Sequence, residues 1–382
     1  NLRQLGDQEA NMFSITRSVV KYFAMPQNKY EALSAIDRAL LVLQQGRPGP
    51  IWIDIPINVQ GVFLTSTEIE QSLTYSIKPV LEAIHPNTKD NSPNKADIKE
   101  SVEQTIDLLN LSKRPVFFGG NGINLSGQRE MFLNILSKTK IPAVTGWNAH
   151  DLLPNNHPSY SGKPGTVGDR PGNFVIRSAD LVIVLGCRLN IRQISYNWES
   201  FAPNAKIIMV DIDKYELLKP TLKLAKKFHH DLKDFLHTLN QEIDSWIPQR
   251  SHKKFLAWCK SKVLEYPVVD EKHYTNQTLI NPYAFFKELY DCVKSDDVMV
   301  LGNGSACVMG YQSAVIKKGL RLFTNSGSAS MGYALPAAIG AQIAFPNVPV
   351  VCISGDSSIQ MCIQELGTIA QYNLPIRLMI IN

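Results

Sequence analysis

Short aliphatic runs that alternate with helical segments are the feature that most constrains how this chain can fold. Two examples are the continuous runs Leu181–Leu185 and Val298–Leu301, each bounded by stretches with helical periodicity. A strand of a parallel sheet is buried on both faces, so its sequence is continuously apolar rather than alternating. Strands separated by helices indicate a parallel sheet covered by helices on both sides. We therefore predict an α/β fold made of doubly wound parallel sheets.

The alternation divides the chain into three blocks joined by two polar stretches. The first block has a helix at 31–45, a Gly/Pro turn and a strand, which are too few elements for a whole domain. The third block ends directly after a predicted strand, before its α/β pattern is complete. A helix is predicted over 226–246 at the end of the middle block, and one over 359–372 in the third. The predicted bounds are 1–65 for the C-terminal part of a first domain, 66–96 for a linker, 97–246 for a complete Rossmann-like domain, 247–281 for a connector and 282–382 for the N-terminal part of a third domain.

Composition excludes several classes of protein. Among 382 residues the 39 basic and 34 acidic side chains give a net charge of +5, and the basic ones are scattered, which favours a solvated surface over nucleic-acid binding. No apolar run reaches the ~18 residues that span a bilayer, so we expect no membrane association. Six isolated cysteines suggest reduced, mostly buried thiols and a cytoplasmic location. A first residue other than Met and an end directly after an apolar run suggest a piece of a longer protein.

Histidine and serine side chains outside these patterns give little evidence of a catalytic or metal site. His150, the pair His229 and His230, and Ser305 could suggest metal binding or hydrolysis, but no Gly-x-Ser-x-Gly or His-Glu-x-x-His motif accompanies them. The histidine pair falls in the helix predicted over 226–246, so we expect it to be solvated.

The strongest chemical signal follows the predicted strand 348–354. Gly355 allows a sharp turn, Asp356 offers a carboxylate, and Ser357 and Ser358 offer hydroxyls and backbone amides at the start of a helix. A carboxylate beside an anion-binding helix end can hold Mg²⁺ against a phosphate. The next strand ends at Asn382, and parallel strands release their ends at the same edge of a sheet. An ordinary helix cap is the alternative interpretation of these four residues.

The run Gly355-Asp356-Ser357-Ser358, followed by Ile380-Ile381-Asn382, resembles the Gly-Asp-Gly…Asn-Asn motif of thiamine-diphosphate-dependent enzymes, in the version found in acetolactate synthases. The resemblance implies that Asp356 binds the Mg²⁺ that bridges to the diphosphate. It departs from the motif at Ser357, and it aligns Asn382 with the first Asn of the pair. The Asn that binds the metal would then lie just beyond the given sequence.

Two upstream segments extend the resemblance. Residues 327–333 are similar to the family's segment under the thiamine pyrimidine, which implies that Met331 supports the bent cofactor. Residues 301–306 are similar to a diphosphate-contacting segment, although Ser305-Ala306 replaces Gln-His. The thiamine diphosphate contacts that the resemblance implies are Gly304, Ser305, Ala329, Met331, Gly355, Asp356, Ser357 and Ser358.

The middle block resembles the family's central domain, which holds a structural FAD in acetolactate synthases. Arg suits a phosphate, Asp suits ribose hydroxyls, and Gly permits close backbone approach. Leu189 and Asn190 stand where the family motif has Phe-Asp. The implied FAD contacts are Gly119, Gly120, Gly122, Gly186, Arg188, Asn190, Arg192 and Asp211.

The first block resembles the end of the family's pyrimidine-binding domain. Gln8 and Lys21 match residues near the substrate entrance, and an ordinary exposed Lys is the alternative for Lys21. The family's essential Glu would precede the given sequence, and Glu9 does not match it. We therefore expect this piece alone to be inactive.

The resemblance implies decarboxylation of a 2-oxo acid, pyruvate, and its joining to a second carbonyl, with thiamine diphosphate and Mg²⁺ as cofactors and FAD in the central domain. It implies a homodimer or homotetramer, a small-molecule substrate, no nucleic acid and no membrane, and a role in branched-chain amino acid biosynthesis. Two alternatives remain open: a sister 2-oxo-acid decarboxylase or carboligase with another substrate, and a non-catalytic nucleotide-binding protein.

Overall fold

The computed structural model of the chain describes residues 10–75, 95–275 and 278–382. Two compact units are present, Asn1–Ser92 and Pro93–Asn382. In the described part of the chain no helix is long and apolar enough to cross a membrane. All six cysteines are free and all but Cys292 are buried, as the sequence predicts.

The first unit contains two parallel strands, β1 and β2, which pair from Tyr22↔Ile51 to Ala24↔Ile53. The first ten residues of the predicted linker form a helix, α4, that packs on α2 and is tied to it by an ion pair of 2.6 Å between Lys29 and Glu68. The elements of this unit are α1 (Met12–Thr16), β1 (Tyr22–Ala24), α2 (Lys29–Gln44), β2 (Ile51–Ile53), α3 (Ile57–Gln60) and α4 (Ser66–Tyr75).

The second unit begins with a five-stranded parallel sheet of order β4-β3-β5-β6-β7. Its strands are β3 (Pro115–Gly119), β4 (Ala143–Thr145), β5 (Leu181–Leu185), β6 (Lys206–Asp211) and β7 (Lys226–His229). Its helices are α5 (Lys95–Leu111), α6 (Gly122–Leu125), α7 (Arg129–Thr139), α8 (Arg170–Ser178), α9 (Ile191–Ile194), α10 (Lys214–Leu217), α11 (Leu232–Glu242) and α12 (Arg250–Glu265), with 3-10 turns at Trp147–Leu152, Trp198–Ser200 and Ile243–Ser245.

Each face of this sheet buries its own apolar cluster. Phe117 and Ile183 belong to one cluster, while Phe118 and Val182, their neighbours in sequence, belong to the other. This alternation explains why the strands are continuously apolar, since both faces are covered. Helix α12 lies in the predicted connector, yet its Phe255 and Cys259 are buried in the second cluster.

The helix predicted over 226–246 is wrong at its start, because residues 226–229 form the edge strand β7. Strand β7 pairs with β6 from Ile208↔Lys226 to Asp211↔His229, and Phe228 is its buried side chain. His230 is also buried rather than solvated, and its Nε2 lies 2.9 Å from Ser101 Oγ. A strand with one buried side chain carries too short an apolar pattern to be recognised in sequence.

The unit ends with a four-stranded parallel sheet of order β11-β10-β8-β9. The helix predicted over 359–372 is wrong as one element, because two shorter helices, α16 and α17, are separated by a turn. The elements are a 3-10 turn at Glu271–Tyr274, α13 (Pro282–Cys292), β8 (Val298–Leu301), α14 (Gly304–Gln312), β9 (Arg321–Phe323), α15 (Ala334–Ala344), β10 (Val350–Gly355), α16 (Asp356–Gln360), α17 (Glu365–Gln371) and β11 (Arg377–Ile381). The predicted α/β class with parallel sheets is confirmed.

Candidate functional site

The carboxyl edge of the C-terminal sheet brings together the ends of β10 and β11. Gly355 pairs with Ile381 in parallel register, so Asp356 and Asn382 both follow at this edge. Asp356 is exposed, and Ser357 Oγ donates a hydrogen bond of 3.3 Å to its Oδ2. The structure therefore leaves the Asp356 carboxylate accessible beside the last residue of the chain.

The end of β8 reaches the same edge. Gly302 N donates to Ile353 O at 2.8 Å, which joins β8 to the end of β10. A Cβ on Gly302 would lie 3.2 Å from that oxygen, so a larger residue would require the backbone at Ile353 to shift by a few tenths of an ångström. Gly304 then starts α14 with φ of 60°, and the side chain of the N-cap residue Asn303 does not cap the first turn of that helix. The first amides of a helix have no partner within the helix, so those of this turn can bind an anion.

The segment that carries Met331 is tied to both strand ends. Asn303 Nδ2 donates to Ala329 O at 3.4 Å, and Gly332 N donates to the buried Ser358 Oγ at 3.0 Å. Met331 itself is 45% exposed. The predicted thiamine contacts on 304–305, 329–331 and 355–358 are therefore connected by hydrogen bonds around one sheet edge.

The donor set at this edge suits Mg²⁺ held together with a phosphorylated ligand. In the described residues no group of three or more His, Cys, Asp or Glu could hold a metal by itself. Mg²⁺ usually takes one or two protein groups and completes its shell with phosphate oxygens and water. One exposed carboxylate beside the uncapped amides of α14 fits that pattern.

A second edge lies at the carboxyl ends of β3 and β5, where the strand order changes direction. Ligands of open α/β sheets bind at such switch points. Here Gly120 N donates to Leu185 O at 2.9 Å and Gly122 N to Gly186 O at 3.0 Å. A Cβ on Gly120 would lie 2.2 Å from Gly186 O. Packing of the protein's own backbone therefore accounts for these glycines without a nucleotide.

The charged residues predicted to hold FAD lie at or beyond the ends of β5 and β6. Arg188 Nε forms an ion pair of 2.6 Å with Glu216, which Lys219 also contacts. Burial favours the neutral acid, but hydrogen bonds from Lys219 and Arg188 prevail and lower the pKa of the Glu216 carboxyl. Asp211 accepts a hydrogen bond of 2.9 Å from Asp213 N.

Two further predicted FAD contacts, Asn190 and Arg192, lie beside and on the short helix α9. Arg192 lies over the Trp147 ring at 5.4 Å, and Asn190 precedes α9 without capping it through its side chain. The guanidinium groups of Arg188 and Arg192 therefore already contact protein partners, and both keep further N–H donors.

In the first unit Lys21 holds a turn. Its Nζ donates to Gln45 O and, at 3.0 Å, to Arg47 O, and burial lowers the pKa of its amine. Gln8 lies outside the described residues. The role of either residue near a substrate entrance stays a prediction.

The sequence did not point to the polar contacts that join the two sheets of the second unit. Asp151 is 3% exposed and forms an ion pair of 3.0 Å with Arg321. Lys163, also buried, donates to backbone carbonyls at the end of α14. Charged residues at the edges of loops look like surface in sequence, and no local pattern marks them as buried.

Two protein-family descriptions match the second unit. Residues 102–239 match "Thiamine pyrophosphate enzyme, central domain", and residues 302–382 match "Thiamine pyrophosphate enzyme, C-terminal TPP binding domain". These ranges contain the switch point of the central sheet and the carboxyl edge at Asp356.

Curated relatives match nearly the whole chain. It is 28% identical to the acetolactate synthase large subunit of Buchnera aphidicola subsp. Schlechtendalia chinensis over 98% of the chain and 63% of that protein. It is 30% identical to the acetolactate synthase isozyme 1 large subunit of Escherichia coli (strain K12), and 31% identical to the acetolactate synthase large subunit of Cyanidium caldarium, in both cases over 98% of the chain and 62% of the relative.

The chain therefore spans less than two thirds of the length of these relatives. Both matched segments carry descriptions of thiamine pyrophosphate enzymes, and the relatives match 98% of the chain. The chain belongs to the thiamine pyrophosphate enzyme family and contains its central and TPP-binding domains.

Proposed function

We propose that the protein of which this chain is a part is a thiamine-diphosphate- and Mg²⁺-dependent enzyme of the acetolactate synthase type. Its substrate would be a 2-oxo acid, pyruvate, which it decarboxylates and joins to a second carbonyl. The observation that carries the proposal is the parallel register Gly355↔Ile381, which brings Asp356 and Asn382 to one edge beside the uncapped start of α14. The similarity to acetolactate synthase large subunits supports the substrate class.

When bound, thiamine diphosphate supplies the electron sink that lets CO₂ leave from a 2-oxo acid. In this proposal Asp356 holds Mg²⁺, and the first amides of α14 at Gly304 and Ser305 receive the diphosphate. Met331 lies on the segment that Ser358 ties to the edge, where its exposed side chain can support the pyrimidine. At the same edge, Ala329 and Gly355 would let the backbone approach the cofactor, and Ser357 would offer a polar contact.

FAD in the central domain is a further part of the proposal. Asp211 would bind the ribose hydroxyls, and Arg188 and Arg192 the phosphates, at the carboxyl ends of neighbouring strands. Asn190, Gly119 and the glycines around Gly186 would line this site.

Gln8 and Lys21 would belong to the pyrimidine-binding domain, and a homodimer or homotetramer would combine that domain with the diphosphate site of another subunit. Under this proposal residues 1–65 and 282–382 are parts of two domains, 97–246 is a complete central domain, and 66–96 and 247–281 connect them. Helix α12, although in the second connector, packs into the central core.

A sister enzyme with another 2-oxo acid is the second candidate. The observation that favours it is the pair of departures from the family motif at Asn190 and Ser305, together with identities of 28 and 31% to the relatives. Such departures near cofactor sites accompany changes of substrate more readily than changes of fold.

An assay of the full-length protein with pyruvate, thiamine diphosphate and Mg²⁺ tests the proposal. Acetolactate formation is the expected result. CO₂ release from another 2-oxo acid without acetolactate from pyruvate would favour the sister enzyme. Absence of thiamine diphosphate binding would contradict both and leave a nucleotide-binding protein without this activity.

A further inference from the structure

Lys163 is a buried lysine that joins the central domain to helix α14 of the TPP-binding domain. It lies in the loop after β4 and is 3% exposed. Its Nζ donates to the carbonyl oxygens of Tyr311, Gln312 and Ala314 at 3.1, 3.0 and 2.8 Å. These carbonyls lie at the C-terminal end of α14, where a helix leaves oxygens unpaired and carries partial negative charge.

The loop that carries Lys163 is itself held firmly. Asp169 Oδ1 accepts hydrogen bonds from Lys163 N at 2.9 Å and Gly172 N at 2.7 Å, and Asp169 N donates to Lys163 O. The Asp169 side chain is buried and interacts electrostatically with the ammonium. A buried cation with three carbonyl acceptors and a nearby carboxylate is satisfied in place, so the loop gives α14 a fixed anchor.

Ring packing holds the same end of the helix. Tyr311 stacks on Trp147 of the central domain with ring centroids 5.1 Å apart, and His150 packs on it at 5.0 Å. The opposite end of α14 is the turn at Gly304 and Ser305. A helix of nine residues is rigid over its length of about 14 Å, so fixing one end fixes the position of the other.

We infer that Lys163 is a positioning residue for the diphosphate: by anchoring the C-terminal end of α14, it fixes the N-terminal turn at Gly304 and Ser305 that receives the anion. The inference rests on the proposed function, which assigns that turn to the diphosphate. Charge supports it as well, since a cation at the C-terminal end and an anion at the N-terminal end both match the helix dipole.

The test is calorimetric titration of the full-length protein with thiamine diphosphate and Mg²⁺. Lys163→Met keeps the length of the side chain but cannot donate, and Lys163→Arg keeps the charge and the donors. We expect Lys163→Met to weaken binding about tenfold or more, the equivalent of ~1.4 kcal/mol, and Lys163→Arg to recover most of the loss.

Lys317→Met is the matched control. Lys317 Nζ also donates to backbone carbonyls at a helix end, those of Asp291 and Val293 near the end of α13, whose other end is not part of the proposed site. This variant should lose stability without weaker cofactor binding. If Lys163→Met does not fold, Lys163→Gln, which still donates, should show a smaller loss in the same titration.

The outcomes distinguish a failure of the proposed function from a failure of the positioning role of Lys163. A wild-type protein that does not bind thiamine diphosphate would overturn the proposed function and this inference with it. A wild-type protein that binds, with an equal dissociation constant for Lys163→Met, would overturn the inference alone. Equal losses in Lys163→Met and Lys317→Met, or no recovery in Lys163→Arg, would also overturn it, since the effect would then be general.

Discussion

Gly355 and Ile381 are partners in the parallel register of β10 and β11, so Asp356 and Asn382 leave their strands side by side. The sequence separates these polar residues by a turn and two helices, and the sheet brings them to one edge. The Asp356 carboxylate is an oxygen donor of the kind that Mg²⁺ prefers, and Asn382 lies beside it at the neighbouring strand end. The proposed cofactor site depends on this register.

The first prediction concerns Asp356. Asp356→Asn keeps the size of the side chain but removes the charge that would hold Mg²⁺, so the affinity of the full-length protein for thiamine diphosphate with Mg²⁺ should fall by about 100-fold or more. Loss of groups that only support metal ligands already costs about 10- to 100-fold. Calorimetry measures the change.

Asp291→Asn serves as the control for that experiment. Asp291 is an exposed acid on α13 that pairs with Lys287, away from the sheet edge. Its variant should bind the cofactor like the wild type. Equal affinity of Asp356→Asn and wild type would remove Asp356 from the metal site.

The second prediction concerns the switch point of the central sheet. Gly120→Ala would place a methyl group 2.2 Å from Gly186 O and 2.4 Å from Cys187 Cα, so the free energy of unfolding should fall by about 3 kcal/mol or more. Gly340→Ala, inside α15 with nothing within 4 Å of its Cβ, should instead gain about 0.5 to 1 kcal/mol. Denaturant unfolding of both variants checks this, and a well-tolerated Gly120→Ala would refute the packing argument.

The third prediction concerns FAD. Purified full-length protein should carry a yellow flavin, and Asp211→Ala should lose it because the ribose hydroxyls lose their acceptor. Asp213→Ala is the control. Asp213 caps α10 by accepting a hydrogen bond from Tyr215 N at 2.9 Å, so this variant should lose ~1 kcal/mol of stability but keep its flavin. Visible absorbance reports the flavin content. A colourless wild-type protein would speak against FAD.

The fourth prediction concerns pH and Lys163. Burial lowers the pKa of this amine to about 8, while the nearby Asp169 opposes the shift. Between pH 8 and about 10.5 the unfolded chain keeps a proton that the folded chain has lost, so the stability contributed by this group rises with pH. Below pH 8 both states are protonated and the contribution is constant.

The measurement is the free energy of unfolding of wild type minus that of Lys163→Met as a function of pH. This difference should rise by about 3 kcal/mol from pH 8 to 10.5. Subtracting the variant cancels other groups that titrate in the same range, and the buried neighbours His150 and Tyr311 are present in both proteins. A flat difference would show that Lys163 has an ordinary pKa.

Much of the fold could be predicted from local pattern. The strands Leu181–Leu185 and Val298–Leu301 have the predicted bounds, because both are continuously apolar. Strand β7 was not predicted, because only Phe228 on it is buried. Helix α14 was missed as well, since its Gly304-Ser305 start is typical of a turn.

Some residues of the candidate site could likewise be predicted from local sequence and others could not. The position of Asp356 at the end of a buried strand could be predicted because an apolar run, a glycine and an acid are adjacent in sequence. Lys163 could not, because its carbonyl partners lie 148 to 151 residues further along the chain. Gly120 and Gly122 were predicted to contact a nucleotide. Their close approach to the backbone of Gly186 is enough to require glycine at both positions. Long-range contacts to the backbone leave no periodic signal in a sequence.

The most direct test of the central claim is a calorimetric titration of the full-length protein with thiamine diphosphate, with and without Mg²⁺. Saturable binding of one cofactor per chain is expected, and it should depend on Mg²⁺ and weaken by about 100-fold or more in Asp356→Asn. Absence of binding, or binding that is equally tight without a divalent metal, would contradict the site at the edge of β10 and β11.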